Sequence, residues 1–261
     1  AFSLFVITLS VFLAVLSRSI VRFMNRPLLC VVRKLSAMTR TVHLASISAA
    51  GDCTSSSVVG AAVDILKHGG IVALPSDTLY GVTSMIDYSQ KLFEVKRRSQ
   101  LKPLGLFVAG PEEVAKWAEV TISDDLLHRL LPGPVTLIFN RLSSLPESFN
   151  PETRKVGVRV PLCPIVNDIC CSLGAPLAQT SANPSGSPLN PVCVDDFTEL
   201  HDEIDLIIDG GRIETTAEGS TIIDLSLKGF YHIVRDGCAL VDTRKKLENA
   251  GLRALDNLTH L

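Results

Sequence analysis

From about residue 55 onward, apolar positions recur at two periods. Val58, Ala61, Ala62, Ile65 and Leu66 follow the three-and-four spacing of a helix over 58–68. Serines 55–57 are placed to cap its start, and Gly69-Gly70 to stop it. The same spacing predicts helices over 91–98, 112–119, 124–131, 165–173, 194–201 and 243–250. Short apolar runs predict strands over 71–74, 104–109, 135–139, 156–160, 177–180, 204–208, 221–225 and 231–235. Pro75 ends the first strand, and Pro132-Gly133 closes the helix before it. The late strands follow one another without helices between them. That order disfavours a purely parallel, doubly wound sheet and predicts a single α/β domain with a twisted mixed sheet flanked by helices. The domain is expected over 55–245, with 246–261 as a C-terminal tail.

Residues 1–54 lack both periods. Residues 2–16 are almost wholly apolar, but a bilayer span needs about 20 residues, so no integral span is expected. Residues 17–50 carry Arg18, Arg22, Arg26, Arg33, Lys34 and Arg40, many serines and no acid. This is the profile of a mitochondrial transit peptide. A translated extension ahead of a start at Met24 or Met38, and a membrane anchor, are the other readings. The segment is expected to be targeting or unstructured sequence outside the fold, and the protein to be cytoplasmic, mitochondrial or both.

Charge sharpens the division. The whole chain sums to −2, yet beyond residue 51 there are 19 bases against 27 acids. An acidic body argues against a broad grip on nucleic-acid backbone, and 5% aromatic content against a base-stacking surface. Seven cysteines, an odd number without a C-x-x-C pair, read as reduced thiols rather than a disulfide framework or zinc ribbon. The six histidines have no ligand spacing, so no protein-held metal is expected. Neither a G-x-x-x-x-G-K-[ST] loop nor a G-x-G-x-x-G turn occurs.

Polar groups cluster instead where strands end. Pro75-Ser76-Asp77-Thr78-Leu79-Tyr80-Gly81 offers hydroxyls, a carboxylate and a phenol, suited to a small polar pocket or to an ordinary turn. Lys96, Arg97, Arg98 and Lys102 precede Pro103-Leu104; they suit an anion site or a solvated helix end. Thr180-Ser181-Ala182-Asn183 suits an oxyanion turn or a plain polar loop. Arg159, Arg235 and Gly219-Ser220-Thr221 also sit at strand ends.

In this order the motifs resemble the YrdC-like family of threonylcarbamoyl-AMP synthases. The family pattern runs P-T-D-T-x-Y-G, K-x-R, a basic or polar residue before P-L, P-G-P-x-T, V-x-V-R-x-P, S-x-N, S-T-[IV]-[IV]-D and R-x-G. Pro75–Gly81, Lys96 with Arg98, Lys102, Pro132–Thr136, Arg159, Ser181 with Asn183, Ser220–Asp224 and Arg235 with Gly237 match it. The resemblance covers about residues 56–240. It implies a deep basic cavity in which L-threonine, bicarbonate (or CO₂) and ATP yield threonylcarbamoyl-AMP and pyrophosphate by nucleotidyl transfer. Magnesium would accompany the triphosphate without a tightly bound metal. The product would pass to a separate transferase complex that modifies adenosine beside the anticodon of tRNAs reading codons that begin with A.

By resemblance, Thr78, Tyr80, Arg159, Ser181 and Ser220 would hold threonine. Arg98, Lys102, Thr136, Asn183 and Arg235 would hold ATP, with Lys96 and Arg98 at the reacting centre. Four departures stand out: Ser76 for Thr, Arg97 for a small residue, Phe107 where some members are polar, and Asp236 for Pro. Two competing classes are a non-catalytic RNA-binding or ribosome-associated relative, with at most weak tRNA binding expected here, and a carbamoyl-adenylate domain of another pathway.

Overall fold

Strands β2 (Val72–Leu74), β8 (Leu177–Ser181) and β9 (Leu206–Asp209) show why this chain reads as apolar runs rather than as alternation. Val72 and Leu74 join one buried cluster, and Ala73 between them joins another. Leu206 and Ile208 likewise face away from Ile207, and Leu177 from Ala178. Successive side chains point to opposite faces, and here both faces are covered.

The computed structural model describes residues 40–43, 55–97, 99, 101–214 and 218–255. Of residues 1–54, expected as targeting or unstructured sequence, all but 40–43 lie outside the described residues. On one face pack α1 (Ser55–Lys67) and, after α2 (Gln90–Val95) and α3 (Asp124–Leu130), α4 (Pro164–Leu173). Val58, Ala62 and Leu66 of α1 meet Ile165, Val166 and Ile169 of α4 in one cluster. Each large aliphatic side chain so buried contributes about 1.5–3 kcal/mol. Gly69, at φ 77, ends α1 as the sequence predicts. The other face carries Leu92 and Phe93 of α2, Leu126 and Leu130 of α3, Phe197, and Leu247 of α5 (Leu240–Asn249).

The strands are β1 (Arg40–His43), β2, β3 (Gly81–Met85), β4 (Gly105–Phe107), β5 (Ala118–Glu119), β6 (Val135–Arg141), β7 (Lys155–Arg159), β8, β9, β10 (Thr221–Asp224), β11 (Phe230–Arg235) and β12 (Arg253–Ala254). They form one mixed sheet in the order β1-β9-β2-β3-β8-β4-β7-β6-β10-β11-β12, with β5 beside β6. Pairs β2/β9, β4/β7 and β6/β10 are parallel; β2/β3, β3/β8, β4/β8, β6/β7 and β10/β11 are antiparallel.

Four features differ from the sequence expectation, the first being strand β3, which the sequence pattern does not predict. Residues 112–119 form a 3-10 helix, Pro111–Lys116, followed by β5, because Ala118 and Glu119 pair with Arg141 and Asn140 of β6. Residues 194–203 form a 3-10 segment kinked at Phe197. The sheet also passes both limits of the expected 55–245 domain. Arg40–His43 lies parallel to β9, from Arg40 opposite Leu206 to His43 opposite Asp209. At the other end β12 pairs with β11, and Leu247 is fully buried. The residues 246–255 expected as tail are therefore packed structure.

Candidate active site

The α1–α4 pair covers only part of its face: no residue of β6, β7 or β10 belongs to its cluster. A cavity of about 640 Å³ lies over that uncovered part. Its floor comes from neighbouring strands, each giving residues two apart: Gln179 and Ser181 of β8, Gly105 and Phe107 of β4, Gly157 and Arg159 of β7. Thr136 and Ile138 of β6 do the same. Period two places all of them on one side of the sheet. The glycines make the room. A Cβ on Gly105 would lie 2.4 Å from Gln179 Nε2, and one on Gly157 would lie 3.1 Å from Thr136 Cγ2.

The loop after β2 forms one wall. Ser76 is its hub: its Oγ donates to the Leu79 carbonyl (2.7 Å) and accepts from the amides of Thr78 (3.2 Å) and Leu79 (3.3 Å). A hydroxyl suffices for this, so serine in place of threonine keeps the turn. Asn150 braces the opposite wall. Its amide accepts from Leu104 N and donates to Leu104 O, both at 2.9 Å, which fixes the loop bearing Lys102 and Pro103.

Buried Lys96 donates to Ser181 O (2.5 Å), Ser181 Oγ (3.2 Å), Thr180 Oγ1 (3.2 Å) and Asn183 Oδ1 (3.4 Å). An ammonium has three protons, so these four acceptors share them. Ser181 Oγ donates in turn to Asn183 Oδ1 at 2.6 Å. Across the cavity, Thr136 Oγ1 and Ser220 Oγ lie 2.9 Å apart. Arg235 donates to Ser220 O through Nε (3.0 Å) and Nη2 (2.7 Å), and to Ser220 Oγ (3.1 Å).

Two guanidinium groups dominate the electrostatics. Arg159 is buried, donates through Nη2 to Asp77 Oδ1, and stands 5.9 Å from the centroid of Phe107. Phe107 thus supplies an aromatic bed for the cation. Burial lowers the pKa of Arg159, although Asp77 opposes that. Arg235 is also lowered, by burial and then by the charge of Arg159. Lys102 adds a third cation to the lining, and Glu218 and Asp236 add acids.

The cavity gathers most of the residues singled out from sequence. Thr78, Lys102, Thr136, Arg159, Ser220 and Arg235 line it, as do Tyr80 and Ser181. The Tyr80 hydroxyl, however, donates to Gly211 O (2.6 Å) and accepts from Gly210 N (2.9 Å), and neither glycine lines the cavity. Burial raises its pKa above the ordinary phenol value. Tyr80 therefore supplies wall, with its hydroxyl engaged by a backbone turn. Lys96 and Asn183 are not on the wall; they hold Ser181 from behind it. Arg98 lies outside the described residues. Gln179, Asn150 and Asp77 join the site without having been assigned roles from sequence. The only signal for Gln179 was glycine inside neighbouring strands.

The sequence model of the Sua5_yciO_yrdC family, described as "Telomere recombination", matches residues 64–237. The chain belongs to this family. A Bos taurus relative named threonylcarbamoyl-AMP synthase is 40% identical over 200 residues, spanning 74% of this chain and 72% of its own. The crystal structure of P. abyssi Sua5 complexed with L-threonine is similar at a TM-score of 0.71 and 26% identity, covering 83% of this chain and 62% of that one. This chain thus spans about three fifths of that Sua5 chain. Full-length HypF in its phosphate- and nucleotide-bound form shares the fold, at a TM-score of 0.60 and 20% identity, over 71% of this chain and 29% of its own. In this Sua5/YciO/YrdC chain the residues assigned to substrate fall on the cavity wall, with Lys96 and Asn183 behind it at Ser181 and Arg98 outside the described residues.

Proposed function

We propose that this chain is a threonylcarbamoyl-AMP synthase, a nucleotidyltransferase acting on L-threonine, bicarbonate or CO₂, and ATP. The observation that carries the reading is the meeting of Arg159 and Arg235 at one cavity among the hydroxyls of Thr78, Thr136, Ser181 and Ser220. The amino nitrogen of threonine bonds to the carbon of CO₂ and loses a proton; from bicarbonate, water leaves. A carbamate oxygen then attacks the α-phosphorus of ATP, and the bond from that phosphorus to pyrophosphate breaks. Two anions must approach each other, and fixed cations lower that barrier without reorganising. In-line displacement at phosphorus rests on positioning more than on an acid–base residue.

In this reading Arg159 takes the α-carboxylate of threonine, helped by Thr78, Ser181 and Ser220, while Tyr80 shapes the wall. Lys102, Thr136 and Arg235 serve ATP, Arg98 the reacting centre, and Lys96 and Asn183 act there through Ser181, which they hold from behind the wall. Magnesium enters with the triphosphate as part of the substrate. The adenylate passes to a separate transferase that modifies tRNA, in the cytosol, the mitochondrion or both. The test is incubation with ATP, threonine and bicarbonate, followed by mass spectrometry for threonylcarbamoyl-AMP. ATP consumption is expected to require both threonine and bicarbonate. Pyrophosphate release unchanged by omitting threonine overturns the reading.

A further inference from the structure

We infer that Asp77, from behind the cavity wall, orients the Arg159 guanidinium that receives the α-carboxylate of the amino-acid substrate. This rests on the proposed function, which gives Arg159 that ligand. Ser76 and Thr78 line the cavity, whereas Asp77 between them does not. Asp77 points to Arg159, and both side chains are nearly buried, at 11% and 6% exposure.

The pairing is one-armed. Arg159 Nη2 donates to Asp77 Oδ1, but Arg159 Nε and Asp77 Oδ2, both buried, have no hydrogen-bond partner among the described residues. Closing the pair side-on would satisfy both orphaned atoms at once, since the guanidinium fork matches a carboxylate. The structure leaves that second arm unmade. The Nε donor lies on the Asp77 edge of the guanidinium, so the one bond to Asp77 anchors this edge while Arg159 still lines the cavity.

The surroundings hold this arrangement in place. The hydrogen bonds of Ser76 fix the backbone on either side of Asp77. Phe107 lies beside the guanidinium. Arg159 lines the cavity, whereas Asp77 does not. Asp77 anchors the guanidinium from the other side and does not occupy the place of the substrate.

The test compares threonine with L-threoninamide, which lacks the carboxylate, in full-length wild type, Asp77→Asn and Asp77→Glu. Wild type is expected to prefer threonine strongly. In Asp77→Asn the KM for threonine is expected to rise about tenfold or more, with kcat and the KM for ATP within about threefold, because ground-state binding is what is lost. The preference over threoninamide should shrink with it. Asp77→Glu keeps the charge but displaces the guanidinium by a methylene; it should raise the threonine KM in the same direction, and it decides the matter if the Asn variant does not fold. An unchanged or lower threonine KM in a folded variant overturns the inference, as does an equal rise for threonine and ATP. Equal use of threonine and threoninamide by wild type would instead overturn the assignment of the carboxylate to Arg159.

Discussion

A methyl group on Gly237 would meet Gly219 O, Ser220 C and Thr221 N, all at 2.5 Å. Every one of these atoms is backbone, so none can rotate away. The close approach sets the end of β11 against the start of β10 and lets Arg235 reach Ser220. Gly237→Ala is expected to destabilise the fold by about 1–3 kcal/mol, as overpacking does, and to raise the KM for ATP as Arg235 is displaced. Thermal denaturation with steady-state pyrophosphate release checks this, and a variant with wild-type values for both would contradict it. At this scale the sequence was legible where chemistry is rare. Arg159 and Arg235 stand out because charge at a strand end needs a reason, and Lys96 because it opens a run of cations at a helix end. Gln179 and Asn150 were not legible, because an amide becomes informative only once its neighbours are known. Asn150 acts through two bonds to Leu104, which is 46 residues away.

Elements were legible where burial is one-sided or long, and illegible where it is not. Helices α1 and α4 have clear apolar stripes, and both are found close to their expected limits. Strand β3, Gly81–Met85, escaped because its first four residues are buried, Thr83 and Ser84 among them, which leaves no alternation. Strand β1 escaped because four residues in a basic stretch carry too little pattern. Its place at the sheet edge beside β9 matters for truncation. A chain beginning at residue 52 loses one of the two partners of β9, and each backbone hydrogen bond so lost contributes about 0.5–1.5 kcal/mol net. That chain should melt below one beginning at residue 40, with pyrophosphate release retained in both, since β1 lies at the sheet edge, separated by β9, β2 and β3 from the strands that floor the cavity. Equal melting temperatures would show that β1 contributes nothing to stability.

At the scale of the molecule, the balance of charge separates synthesis of a small adenylate from a hold on RNA. Residues 40–261 contain 27 acids and 20 bases. Of those bases, Arg159 and Arg235 face the cavity, and Lys96 is buried against Ser181 and Asn183. Long-range attraction for a phosphate backbone needs a cationic face, which this balance opposes. The chemistry has no need of one, because the acceptor adenosine takes no part in forming threonylcarbamoyl-AMP. The chain from residue 40 is therefore expected to bind tRNA weakly at physiological salt, with little preference for sequence. The full chain, with five further bases and no further acid, should bind somewhat more tightly at low salt and lose that gain as salt rises. Filter-binding titrations across a salt series measure both. Sub-micromolar, tRNA-specific binding by the chain from residue 40 would contradict the expectation. It would move the balance toward the RNA-binding relative of this fold, the more so if the same preparation formed no threonylcarbamoyl-AMP.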